Sequence, residues 1–249
     1  MRAILTYHSI DASGSPISIA PETFARHVAW LAGGAVQVES LTALRDGGEV
    51  AADGRHRVAI TFDDAFENFG TVAWPRLREA GLPVTLFVVT GHVGRTNVWG
   101  GRPSPGIPAL PLMTWDALAV AASEGVTIGA HTRTHPHLPD LTAAQVDEEL
   151  AGSRDDLARH LGCQATTFAY PYGDVSPAAT AAAARHFAAS CTTDYRPVSA
   201  GDAPERLPRL DMGYFQRADA MADWGTAAFV RRIAMRRALR RARGWWSRR

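Results

Sequence analysis

At 249 residues, 46% apolar and 20% charged, the chain suits one α/β barrel or two smaller domains, and it can bury a large core without metal or disulfide staples. Its formal net charge is +1, but residues 231–249 hold nine arginines and no acid, which leaves −8 on the rest: an acidic body with a basic end. Two cysteines, Cys163 and Cys191, neither in a CxxC pair, exclude a disulfide scaffold and read as buried, inert thiols.

Short apolar runs predict strands at 2–7, 36–40, 57–62, 83–90, 126–130, 165–170, 188–193 and 207–212. Helical patterns fall between them, near 21–32, 66–80, 114–124, 142–161 and 176–187. Pro21 suits a first helical turn, Thr114 and Thr142 suit N-caps, and Gly162 suits a stop after the longest helix. Strand alternating with helix predicts βαβ units and a parallel sheet. Residues 91–113 are rich in Gly and Pro and predict a long loop of the kind that rims a site. No internal linker or repeat interrupts the pattern, so one domain is expected over residues 1–215, with a helical, arginine-rich end over 216–249.

The reactive side chains fall repeatedly just after strands. His8 follows the first and Asp63-Asp64 the third; His131 follows 126–130, Pro171-Tyr172-Gly173-Asp174 follows 165–170, and Asp194 follows 188–193. In a barrel of parallel strands these ends converge on one mouth, where such barrels place their chemistry. Core packing predicts no such coincidence. Adjacent side chains leaving a strand diverge, so one of Asp63 and Asp64 can bind metal while the other faces substrate. The competing reading is a turn or helix cap. His131 and His135, four residues apart, would share one side of a helical turn; alone they could equally be exposed loop histidines, as His92 and His137 are expected to be. With Asp64 as third ligand they form an N/O set that leaves positions open for water and substrate. Zinc suits that set, with nickel, cobalt, manganese and iron as alternatives.

Thr61-Phe62-Asp63-Asp64, His131-Thr132-Arg133-Thr134-His135 and Phe168-Ala169-Tyr170-Pro171-Tyr172-Gly173 resemble three ordered motifs of the polysaccharide deacetylases. The likeness spans roughly 1–215, including Tyr7-His8-Ser9-Ile10 and Met113-Thr114-Trp115, and in motif style it is nearest the poly-N-acetylglucosamine branch. The resemblance implies a single distorted TIM-like α/β barrel of about seven parallel strands with outer helices. It implies a divalent metal on Asp64, His131 and His135, Asp63 as base, and the Tyr172 backbone N–H as oxyanion donor. His8, Pro171 and Leu207 would contact substrate, Leu207 lining a small acyl pocket. The implied reaction removes an N-acetyl or similar N-acyl group from an amino sugar in a polysaccharide, oligosaccharide or lipid-linked glycan. Two departures stand out. Ala169 occupies a position where many members carry an arginine that orients the catalytic aspartate. Leu207-Pro208-Arg209 stands where the family's last motif reads Leu-x-His, and arginine is a poor proton donor. His8 or water would then supply the leaving amine's proton, while Asp174 and Asp194 read better as loop caps than as helpers.

Met235, Ala238, Leu239, Ala242, Trp245 and Trp246 fall near one helical face, with Arg232, Arg236, Arg237, Arg240, Arg241 and Arg243 around the rest. Such a basic amphipathic helix predicts peripheral contact with an anionic membrane, against a solvated basic end. Nucleic acid is not expected as a partner, because the acidic body opposes a phosphate backbone. No signal peptide precedes the first strand and no run approaches the ~18 apolar residues of a membrane span. A cytoplasmic protein is expected, peripheral at the inner membrane face, meeting a precursor such as a lipid-linked sugar or a small glycoside. Three other readings are open: an iron oxygenase site, which expects a β-sandwich; a carbohydrate-binding member with weak or no turnover; and a membrane-recruited scaffold.

Overall fold

The computed structural model describes residues 1–247, with side chains through Ala242. In chain order the elements are β1 (Arg2–Tyr7), β2 (Ser9–Ile10), β3 (Ser18–Ile19), α1 (Pro21–Ala32), β4 (Val36–Val38), α2 (Leu41–Asp46), β5 (His56–Phe62), α3 (Trp74–Glu79), β6 (Val84–Val88) and α4 (Trp115–Ser123). There follow β7 (Thr127–Ala130), α5 (Ala143–Leu161), β8 (Thr167–Ala169), α6 (Pro177–His186), β9 (Ala189–Cys191), β10 (Leu210–Asp211) and α7 (Ala227–Ser247).

Eight strands form one parallel sheet in the order β10-β1-β5-β6-β7-β8-β9, with β4 paired to β5 beside that path. All six residues of β1 are buried, as expected of a strand covered on both faces. The segment leading into β10 joins the two edges. The Leu207 N–H donates to Ser190 O and the Thr192 N–H to Leu207 O, both at 2.8 Å, while Leu210 pairs with Leu5 of β1. This is the predicted distorted barrel, closed by a short irregular stretch.

The helices begin and end where their caps sit. Thr142 and Gln145 form a capping box on α5, and Gly162 ends it at φ 65°. Thr114 caps α4 by accepting from the Ala117 N–H. α1 buries Phe24, His27, Val28 and Leu31, a helical stripe. Phe24 meets Tyr7 and Phe62 edge-on, and those two rings stack at 4.9 Å between β1 and β5.

Three expectations need correction. The helix near 66–80 runs over 67–79 as expected but is not uniform: a π-turn at Phe69–Ala73 interrupts it before α3, and residues 63–66 form the turn at the barrel mouth. α2 was not foreseen, because six residues that bury only Leu41 and Leu44 carry too little period to detect. The basic end is not merely appended: Phe229 and Ile233 of α7 are 0% and 2% exposed and join the core. Trp245, Trp246 and Arg243 lie outside the described side chains.

Candidate metal centre

Parallel register sets the site. Tyr7 pairs with Phe62 across β1 and β5, so His8 and Asp63 leave the sheet side by side. Ala130 pairs with Phe168, which brings His131 beside the turn after β8. The backbone there is unusual. Among the described residues, the non-glycine residues with positive φ are Asp64 (70°), Ala65 (57°), Thr132 (65°), His135 (58°) and Tyr172 (58°). All five lie in the three motif loops. Each left-handed residue costs about 1–3 kcal/mol, so the surrounding structure must hold them there, as happens at functional sites.

Asp64 Oδ1 lies 3.4 Å from His131 Nε2 and 3.5 Å from His135 Nε2. One ligand atom from each of the three buried residues lies within 4.8 Å of the others. His131 Nδ1 is 2.7 Å from Ala169 O, so its proton belongs there and Nε2 offers a lone pair. Burial pushes the His135 imidazole down to about 3, and so it is neutral. Asp64 Oδ1 and His135 Nδ1 are buried without a hydrogen-bond partner. Without a cation, a carboxylate oxygen and imidazole lone pairs would face one another in a desolvated space. Protonation of His131 relieves this only partly: burial lowers its pKa, while the adjacent Asp64 and Asp63 carboxylates outweigh that and raise it. The donor set therefore fits a divalent ion. The two histidines do not share a helical turn as expected. They sit on an irregular loop whose left-handed residues, Thr132 and His135, swing the rings to 4.9 Å.

Asp63 turns away from this cluster. Arg209, 1% exposed, grips it bidentately: Nη1 to Oδ1 at 2.6 Å and Nη2 to Oδ2 at 2.7 Å. Arg209 also donates from Nε to Thr192 O at 3.0 Å and lies over the Phe87 ring. Burial alone would raise the Asp63 pKa, but the charges of Arg209 and His131 outweigh it and hold the carboxyl well below its usual range. The sequence reading had Arg209 only as a poor replacement for a proton donor and Ala169 as the loss of an orienting arginine. The structure joins these departures, because Arg209 reaches Asp63 from the opposite end of the chain. The signal was charge balance: a buried aspartate needs a cation, and Arg209 was already conspicuous.

His8 Nε2 is 3.7 Å from Asp63 Oδ2, and its side chain is a quarter exposed. Tyr172 packs edge-on against His135 at 4.6 Å and stacks on His137 at 3.9 Å. The Tyr172 N–H makes no hydrogen bond among the described residues. Gly173 follows at φ 74°; a Cβ there would meet Thr193 Oγ1 at 2.0 Å, so only glycine fits. Pro171 is buried in the same turn. Leu207 is 3% exposed and belongs to an apolar cluster with Phe87, Ala169 and Cys191. Trp99, from the predicted rim loop, stacks on His135 at 4.5 Å; it was missed, although a tryptophan in a Gly-rich loop was a usable hint. Asp174 pairs with His137 at 2.7 Å, and Asp194 with Arg196 and Arg237. Cys191 is buried and its thiol is pushed up to about 12 by burial, consistent with an inert thiol.

The fold and site define a parallel α/β barrel with a buried Asp-His-His cluster and a second, arginine-held aspartate at its mouth. Residues 51–188 match the polysaccharide deacetylase family, to which the chain belongs. It is 28% identical to YxkH of Bacillus subtilis, grouped with the polysaccharide deacetylases, over 68% of this chain, which spans only 56% of YxkH's length. The fold matches the Streptococcus pyogenes deacetylase PplD, solved with acetate, at TM-score 0.71 and 22% identity, covering 84% of this chain and 91% of that one. It also matches IcaB from Ammonifex degensii at TM-score 0.70 and 25% identity, over 84% and 90%. The likeness to PplD shows fold alone. The parallel sheet removes the oxygenase reading, which expects a β-sandwich. No described helix is long and apolar enough to cross a membrane.

Proposed function

We propose that the chain hydrolyses the N-acetyl, or a similar N-acyl, group of an amino sugar, with a divalent ion held by Asp64, His131 and His135. The observation that carries this reading is the convergence of three buried acceptor atoms within 4.8 Å beside an ionised Asp63. Zinc suits the ligand set, with nickel, cobalt, manganese and iron as alternatives. The ion would supply Lewis acidity, making water acidic enough to act near neutral pH and polarising the acyl carbonyl. Asp63, kept charged and immobile by Arg209, accepts the proton of the attacking water. The free N–H of Tyr172 donates to the oxyanion that develops on the carbonyl oxygen. As the C–N bond breaks, His8 gives a proton to the departing amine, leaving a carboxylic acid and a free amino sugar. Pro171 and Tyr172 form the wall against the sugar, and Leu207 closes the acyl pocket. A complete ligand set and an arginine-held base argue for turnover rather than binding alone.

Acetate release should be screened from N-acetylglucosamine oligomers, lipid-linked sugars and small glycosides. At least one should release acetate, activity should vanish with chelator, and added zinc should restore it. Metal-replete protein that cleaves none of them overturns the reading.

A second reading, contact with an anionic membrane, is favoured by α7. Arg232 and Arg237 turn inward onto carboxylates of the body, and Arg236 and Arg240 onto its tyrosine rings. Three apolar residues of α7 turn out: Val230, Met235 and Leu239 are 46%, 66% and 57% exposed. Arg231 is exposed on the same side of the helix, and no acid occurs from residue 227 onward. Exposed apolar side chains accompanied by cations and no acid suit an anionic lipid surface. Met235→Glu/Leu239→Glu should reduce co-sedimentation with phosphatidylglycerol vesicles several-fold while leaving hydrolysis of soluble oligomers unchanged. Equal sedimentation of both proteins would discard the contact.

A further inference from the structure

A cavity of about 780 Å³ opens beside the metal centre, with Tyr172 as the shared wall. Arg196, Arg206, Arg237, Arg240 and Arg241 line it, against Asp174, Asp194 and Asp202. The three acids are already paired. Asp194 accepts from Arg237 at 2.7 and 2.5 Å and from Arg196 at 3.1 Å. Asp202 accepts from Arg196 at 2.7 and 2.5 Å, and Asp174 faces His137 Nδ1 at 2.7 Å.

Three guanidinium groups are left over. The Arg206 side chain is exposed and makes no hydrogen bond or ion pair among the described residues. Arg241 is two-thirds exposed, and its nearest carboxylate oxygen, on the already occupied Asp194, is 3.7 Å away. Arg240 lies over Tyr195 and Tyr214 at 5.3 and 5.6 Å; its Nη1 is buried without an acceptor, and the nearest carboxylate, Asp211, is 4.0 Å away. Like charges gathered on one wall repel, and a buried N–H without an acceptor is destabilising. The apolar seat of Phe229 and Ile233 holds α7 in place against that cost. What would relieve it is an anion with several oxygens. Guanidinium forks match phosphate geometry, and three of them from two separate elements suit a tetrahedral group better than a planar carboxylate. The volume falls in the usual range for a small-molecule site, roughly 300–1,000 Å³.

We propose that this cavity is an anion subsite that takes a phosphate group carried by the glycan substrate, bound by Arg206, Arg240 and Arg241 while the acylated sugar lies across Tyr172 at the metal centre. The proposal deepens the deacetylase reading and rests on it for the identity of the glycan. Phosphate can reach the site as a phosphodiester within a polymer or as the pyrophosphate of a lipid-linked sugar.

The test begins with inorganic phosphate titrated calorimetrically into the full chain at low salt. Arg206→Gln/Arg241→Gln changes two exposed side chains outside the core, so the fold should stand. It should weaken phosphate binding about 10-fold or more, the loss of at least one charge-assisted hydrogen bond. Asp64→Ala, stripped of its metal, should bind phosphate as the unaltered chain does, which separates this subsite from the metal centre and from the deacetylase reading. In turnover, the double variant should raise KM for a phosphate-bearing glycan and not for neutral N-acetylglucosamine oligomers. A pyrophosphate-linked lipid and a phosphodiester polymer, assayed in parallel, report which source applies. No phosphate binding by the unaltered chain, equal binding by the double variant, or no KM change with either phosphate-bearing substrate overturns the proposal.

Discussion

Asp64→Ala should abolish metal retention and acyl release together, whereas Asp63→Asn should keep the metal and lose about 10²–10⁴ in turnover, the range of a lost general base. The neighbours differ because the strand end sends them opposite ways. Asp64 Oδ1 sits 3.4 and 3.5 Å from the two imidazole Nε2 atoms and has no other partner. Removing it leaves two neutral nitrogens, too few to hold an ion against water. Asp63 meets the cluster through its charge, while both its oxygens are fixed by Arg209. Asparagine there keeps the shape and deletes the proton acceptor. Metal stoichiometry by elemental analysis, alongside acetate release, separates the roles. If Asp63→Asn deacetylated normally while Asp64→Ala still held one ion per chain, both roles would be misassigned.

The parts of this site that could be read in advance are those that local pattern encodes. The apolar run of β5 ends on Asp63-Asp64, and that of β7 on His131, because parallel strands are buried on both faces and turn polar only where they leave the sheet. Thr142, Gln145 and Gly162 mark the ends of α5 by chemistry contained within a few residues. What pattern could not carry was backbone shape. A four-residue spacing of histidines suggests a helix; the observed loop needs left-handed Thr132 and His135, which no propensity predicts. The helix expected from residue 66 starts at 67, once the chain has left the left-handed pair Asp64 and Ala65, but its π-turn at Phe69–Ala73 was not encoded in any local period. Longest in range was Arg209, whose contact with Asp63 closes over 146 residues. Only the closure of the barrel brings the segment before β10 next to the end of β5.

Breaking that contact should have the larger structural effect. Arg209→Leu leaves a buried carboxylate, 3% exposed, without its counter-ion. Losing one partner of a buried pair costs about 3–5 kcal/mol, which for a chain of this size lowers Tm by roughly 6–20 °C. With the guanidinium gone, burial raises the Asp63 pKa and only His131 and His8 oppose it, so the carboxyl shifts toward its protonated, non-basic form. Activity should fall even where the fold survives. Arg209→Lys keeps a charge but not the fork, so it should melt closer to the unaltered chain, hold its metal, and still show a reduced kcat. The double change Asp63→Leu/Arg209→Leu removes both charges at once. Replacing a buried pair by apolar side chains is often neutral, so much of the lost Tm should return while acyl release stays absent. A single Arg209→Leu that melted normally and turned over at full rate would show that the bidentate grip neither holds the barrel's closing segment nor tunes the base. Recovery of stability in the double variant, with metal content intact, would instead place the arginine where its geometry does: on the base, and not on the ion.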